Sequence, residues 1–280
     1  MCRVTPHNGA HNTGVTTIDL RLKDKVAVIT GASRGLGAAS ARLLAAEGAK
    51  LVLASRNQAD LDKLAAELHS QFGTPVLVVP LDLTQESAAD DAVTKTLATF
   101  GRIDVLINSA GASQGGLFWE LADRVWQESF DLKVMGTIRM MRAVMPTMIA
   151  QKHGRIVNIV GNTGLQPSPR LLPGSAANAA LLAITRGLGE EAAPHGVVVN
   201  AINPGPTKTE RWTTLMNRLA QSSGRTIADV EKDYTSQIPL GKLAEPDDIA
   251  GLIVFLASDR AANMIGTAIT ADGGWSKGIG

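Results

Sequence analysis

A run of small residues, Thr30-Gly31-Ala32-Ser33-Arg34-Gly35-Leu36-Gly37, closes the apolar stretch Val26 to Thr30 and opens an amphipathic one from Leu36 to Glu47. Glycine at these places lets a chain turn sharply from strand to helix and lets an anion approach bare backbone. The helix that follows offers free N–H groups and the positive end of its dipole to that anion. The chemistry is therefore the cradling of a pyrophosphate, with Gly31, Ser33, Arg34 and Leu36 in the turn and Gly37 letting the helix lie close on the sheet. A glycine pattern alone is weak evidence. This one has a buried strand before it and a helix after it, and it is the first strand-to-helix turn of the chain.

Two arginines refine that reading. The second apolar run ends Leu53-Ala54-Ser55-Arg56, without the carboxylate that would accept hydrogen bonds from a ribose. Arg34 in the turn and Arg56 past the strand could converge on a 2′-phosphate, which a guanidinium fork matches well. The pair favours NADP(H) over NAD(H). Asp82, followed by Leu83, closes the third apolar run, and Asn108-Ser109-Ala110-Gly111 closes the fourth. Both lie at carboxyl ends of strands, where such sheets bind ligands.

These residues need a frame to hold them. From Lys25 onward, short β-branched runs alternate with longer amphipathic stretches. The order predicts an α/β fold, a Rossmann-type doubly wound parallel sheet of about seven strands in a single domain over 21–280. The strands read as continuously apolar, as expected when both faces are covered. One helical pattern spans Ala122 to Gln151, and another runs from Ala176 to Ala192. Residues 1–20 read as a flexible N-terminal tail. His7 and His11 stand four apart there, but Gly9 and Gly14 speak against a helix, and no metal site is expected. The segment 204–240 breaks the alternation and is a candidate lid. Met135, Met140, Met141, Met145 and Met148 form a helical stripe suited to a core or a subunit interface. His153 and His195 read as surface residues.

Composition narrows the classes. The chain has 280 residues, with 27 Lys plus Arg against 26 Asp plus Glu, a net charge of +1. That balance argues against a nucleic-acid or acidic-membrane binder working by bulk charge. The single Cys2 excludes an intrachain disulfide. No apolar run approaches the roughly 18 residues of a membrane span, and the start lacks a secretory apolar core. A cytoplasmic protein acting on a small-molecule substrate is the default.

The motifs together make the sequence similar to the short-chain dehydrogenase/reductase family from about Leu22 to Gly274. The resemblance rests on the glycine turn, Asp82, Asn108 to Gly111, Gly154 to Ile159, Asn203-Pro204-Gly205 and Asp272-Gly273-Gly274. It implies that Pro204, Gly205 and Thr207 contact the nicotinamide end. It also implies a homo-oligomer, dimer or tetramer, built through the two long helices. The family uses an Asn, a Ser, a Tyr and a Lys. Tyr is the proton donor, and the Lys ammonium lowers its pKa.

By spacing, those four positions carry Lys133, Gly161, Gly174 and Asn178, all different. The only tyrosine is Tyr234, far away in the lid segment, so no shift of register supplies the missing pair. Asn and Lys look exchanged, and the two glycines enlarge the pocket. The candidate catalytic residues are therefore Lys133, Asn162 and Asn178, with Thr163 beside them. Three readings stay open: an NADP(H)-dependent oxidoreductase with a non-standard proton donor, a non-redox lyase or isomerase on the same scaffold, and a catalytically silent NADP-binding protein.

Overall fold

The computed structural model describes residues 18–112 and 114–278. The segment carrying His7 and His11, and the tail expectation for residues 1–17, lie outside them. In chain order the elements are β1 (Val26–Thr30), α1 (Gly35–Ala46), β2 (Lys50–Ser55), α2 (Gln58–Phe72), β3 (Val76–Pro80), α3 (Ala88–Phe100) and β4 (Val105–Asn108). There follow α4 (Asp123–Ser129), α5 (Gly136–Gln151), β5 (Gly154–Ile159), α6 (Leu172–Ala192) and β6 (Val197–Pro204). The chain continues through α7 (Glu210–Ser223), α8 (Ile227–Ser236), α9 (Pro246–Leu256) and β7 (Ala268–Ala271).

The strands form one parallel sheet of seven in the order β3-β2-β1-β4-β5-β6-β7. Strand order reverses at β1 and β4, which opens a crevice at their carboxyl ends. Register places Thr30 beside Asn108 and Asn108 beside Asn158 along that rim. Apolar side chains fill both faces. Leu44, Leu61, Leu68 and Ile253 anchor α1, α2 and α9 on one side. Val93, Met140, Val144 and Met148 anchor α3 and α5 on the other. Each such fully buried side chain stabilises the fold by roughly 1.5–3 kcal/mol. The central strands are buried throughout, whereas the edge strand β7 alternates between exposed and half-buried residues.

Three expectations change. The pattern from Ala122 to Gln151 is not one regular α-helix: a π-helical turn, Phe130–Met135, joins α4 to α5. α6 begins at Leu172, four residues before the expected start, so Gly174 lies in its first turn. His153 is half-buried, with side-chain exposure of 23%, between Asp104 and Asp259.

The segment 204–240 folds as α7 and α8, each capped by a threonine: Thr209 accepts from the Trp212 N–H and Thr226 from the Asp229 N–H. Trp212, Met216, Val230 and Ile238 give it a small apolar core of its own.

Candidate active site

The glycine turn begins where β1 ends. Gly31 has φ +64, and a Cβ there would sit 2.8 Å from the Ala110 nitrogen, so only glycine fits against the end of β4. Thr30 Oγ1, wholly buried, accepts from the Ser109 and Ala110 N–H groups, each at 3.2 Å. That ties the first and fourth strand ends together. α1 starts behind Arg34 with no side chain capping it and no acid in its first turn. Its N-terminal N–H groups and dipole stay available to an anion.

Along the same rim, several buried polar atoms lack partners among the described residues: Ser55 Oγ, Asn108 Oδ1 and both side-chain polar atoms of Asn203. They close β2 and β4 and lie near the end of β6. Buried polar groups are normally satisfied, so this line of orphans fits a long polar ligand lying across the strand ends. Asp82 is occupied by Thr84, whose N–H and Oγ1 both donate to it, and Leu83 is buried beside it. Arg56 is exposed past β2, and exposed Arg34 pairs with Glu210 at 3.7 Å. Gly205 donates its N–H to Ala271, and Thr207 Oγ1 donates to the Gly205 carbonyl, shaping the turn after Pro204.

The π turn carries Lys133. Such turns are frequent at functional sites. Lys133 is 8% exposed. Its Nζ donates to the Val160 carbonyl at 2.7 Å and to Asn178 Oδ1. Asn178, on α6, in turn donates through Nδ2 to Thr163 Oγ1 at 2.8 Å. No carboxylate pairs with Lys133 among the described residues. Burial, helped by the positive charge of Arg211, pulls its pKa down to about 7.

Gly161 faces this pair. Its φ is +122, and a Cβ there would meet Asn178 Nδ2 at 2.9 Å. Asn178 thus occupies space that a larger residue at 161 would claim.

The structure therefore brings Lys133, Asn178 and Thr163 together and leaves Asn162 apart. Asn162 Nδ2 turns to Asp272 Oδ2 at 3.4 Å. Burial works against the Asp272 charge, but hydrogen bonds from Ser276, Asn162 and Gly274 outweigh it and hold the carboxyl below its usual range. Tyr234 lies edge-on to Trp212 at 5.6 Å and tilted over Trp275 at 6.2 Å, fixed in the apolar core of α7 and α8. Ser175 donates to the Leu171 carbonyl.

Sequence reasoning missed Arg211. Its Nη1 donates to the Gly111 carbonyl at 3.5 Å, from the first turn of α7. No spacing signal links residue 211 to residue 133, because the approach depends on how α7 folds over the rim. The Val160 carbonyl was missed because a main-chain acceptor leaves no trace in side-chain identity.

Among the described residues no helix is long and apolar enough to cross a membrane. No group of three His, Cys, Asp or Glu that could hold a metal occurs among them either.

Comparison with known proteins agrees with the fold. An uncharacterized oxidoreductase of Bacillus subtilis, YvrD, is 36% identical over 263 residues, covering 92% of this chain and 98% of that protein. The 3-oxoacyl-(acyl-carrier-protein) reductase FabG of Thermotoga maritima is 32% identical over 257 residues, covering 91% and 99%. Among solved structures, L-sorbose reductase from Gluconobacter frateurii, complexed with NADPH and L-sorbose, superposes with a TM-score of 0.89 at 33% identity, covering 94% of this chain and 100% of that one. The family model described as short chain dehydrogenase matches residues 25–219, most of the sheet and the whole of the rim from the glycine turn to Thr207. With that match and these relatives, the chain belongs to the short chain dehydrogenase family.

Proposed function

We propose that the chain is an NADP(H)-dependent oxidoreductase that interconverts a small carbonyl compound and its alcohol, with Lys133 holding and moving the proton. The observation that carries this reading is the buried Lys133 ammonium, hydrogen-bonded to Asn178 and to the Val160 carbonyl at the rim of the sheet. When bound, the dinucleotide supplies hydride transfer. Its fit is supported by the glycine turn, the uncapped start of α1 and the unpartnered polar atoms of Ser55, Asn108 and Asn203.

Gly31, Ser33 and Leu36 would hold the pyrophosphate, and Arg34 and Arg56 the 2′-phosphate. Asp82, Leu83, Asn108, Ala110 and Gly111 would line the rim between, with Pro204, Gly205 and Thr207 at the nicotinamide end. The NADPH held by the sorbose reductase supports the choice of cofactor.

The family's Ser, Tyr and Lys are replaced here by Gly161, Gly174 and Asn178, and its Asn by Lys133. An ordinary lysine is a poor base because it stays protonated at neutral pH. With a pKa of about 7, Lys133 is poised to give a proton to a forming alkoxide or to take one from an alcohol. Two of its three N–H donors are engaged by Val160 and Asn178, which leaves one for the substrate oxygen. Asn178 keeps the ammonium aimed, and Thr163 keeps Asn178 aimed. Gly161 yields its side-chain space to Asn178, against the expectation that it enlarges the pocket, and Gly174 in the first turn of α6 leaves room for the substrate. α7 and α8 act as the lid, and the chain works as a dimer or tetramer.

Calorimetric titration with NADPH and NADH, followed by a panel of ketones and aldehydes, tests the reading. Micromolar NADPH binding, weaker NADH binding and NADPH consumption with a carbonyl compound are expected. No binding of either dinucleotide contradicts it.

A further inference from the structure

We infer that Arg211 recognises a carboxylate on the substrate, so that the reacting pair is an oxo acid and its hydroxy acid. The inference rests on the oxidoreductase reading above. It begins with position. Arg211 is the second residue of α7, where the helix dipole disfavours a cation, so helix stability does not account for an arginine there. Its guanidinium reaches back across the rim to the Gly111 carbonyl. Gly111 itself lies against Lys133: a Cβ on it would be 3.2 Å from Lys133 Cδ. Arg211 and Lys133 therefore flank one glycine.

Neither cation is neutralised. Glu210, the adjacent acid, is engaged by Arg34 at 3.7 Å. No carboxylate lies within ion-pair distance of Arg211 or Lys133 among the described residues. Arg211 is exposed to solvent at this rim, and the positive charge of Arg34 nearby works against its own. Lys133 is a buried amine with no carboxylate beside it, and the exposed Arg211 across Gly111 leaves an anion a free guanidinium to bind next to it. A carboxylate is the planar partner that a guanidinium fork binds in two places. With the carboxylate on Arg211, the keto oxygen is left to Lys133 on the other side of Gly111.

The test uses protein saturated with NADP+, which cannot reduce the probe. Pyruvate, acetoacetate and levulinate are titrated by calorimetry beside their ethyl esters. At least one acid is expected to bind roughly 10-fold or more tightly than its ester, and Arg211→Gln to remove most of that preference, because a charge-assisted fork is worth about 1.5–3 kcal/mol. NADP+ affinity stays unchanged in the variant. Equal binding of each acid and its ester by the wild type overturns the inference. So does an Arg211→Gln variant that loses NADP+ instead of the acid, because that places the guanidinium on the cofactor's phosphates. If the wild type binds no NADP+, the oxidoreductase reading fails. The acid and ester titrations on the cofactor-free protein then still decide the role of Arg211.

Discussion

Lys133 and Asn178, separated by 45 residues, meet at the rim of the sheet, where the lysine ammonium donates to the amide oxygen. One comes from a π turn between two helices and the other from the first half of a helix on the far side of β5. The contact gives a physical meaning to an exchange of residue types that the sequence alone shows only as two departures from a pattern. An ammonium and an amide meet at this rim, which supports the proposed exchange.

Lys133→Met should abolish turnover, with a loss of roughly 10²-fold or more, the usual worth of a positioned acid or base. NADPH affinity, read by calorimetry, should stay near wild type, since the residue contacts the Val160 carbonyl and Asn178, not the glycine turn. Lys133→Arg should not restore activity, because a guanidinium does not release its proton. Wild-type rates in either variant remove Lys133 from the mechanism.

Stability should carry the mark of the same lysine. Its pKa is about 7 in the folded protein against 10.5 for an ordinary lysine, so the unfolded chain binds more protons between those values. Stability then rises with pH through that window, by up to about 1.4 kcal/mol per pH unit. Urea unfolding of wild type and Lys133→Met at neutral and at alkaline pH should show the wild type gaining on the variant. A constant difference between them contradicts a buried, easily deprotonated Lys133.

Gly161→Ser, the change that would bring back the family's side chain, should destabilise the protein by about 1–3 kcal/mol. The backbone at 161 has φ +122, and the new Cβ would press on Asn178 Nδ2 at 2.9 Å. Thermal and urea unfolding measure this. An unchanged midpoint would mean that the backbone and Asn178 yield freely.

Arg56→Asp should weaken NADPH binding by roughly 10-fold or more while leaving NADH within a few-fold, because a charge-assisted contact to the 2′-phosphate is lost. Equal losses for both dinucleotides remove Arg56 from cofactor choice.

The sheet, its seven strands and the glycine turn were legible because continuous β-branched runs and their glycine punctuation are local signals. Spacing singled out Lys133 and Asn178, and the structure brings the two into contact. Other features depend on three-dimensional packing. The π turn that carries Lys133 looks like ordinary helix in sequence. Asn162 adjoins the pocket in sequence, yet its amide is claimed by Asp272, 110 residues away. Tyr234, the lone tyrosine, sits among the aromatic rings of the segment it belongs to. Arg211 reaches Gly111 only because α7 folds back over the rim.

The most direct test of the account is the pH dependence of NADPH-driven reduction of a carbonyl substrate under kcat conditions. Protonated Lys133 gives up the proton, so the rate should fall as pH rises through an apparent pKa near 7, and the reverse oxidation should rise through the same value. Lys133→Met should lose this transition. A profile that is flat through neutral pH, or one that survives unchanged in Lys133→Met, would contradict the assignment of the proton to Lys133.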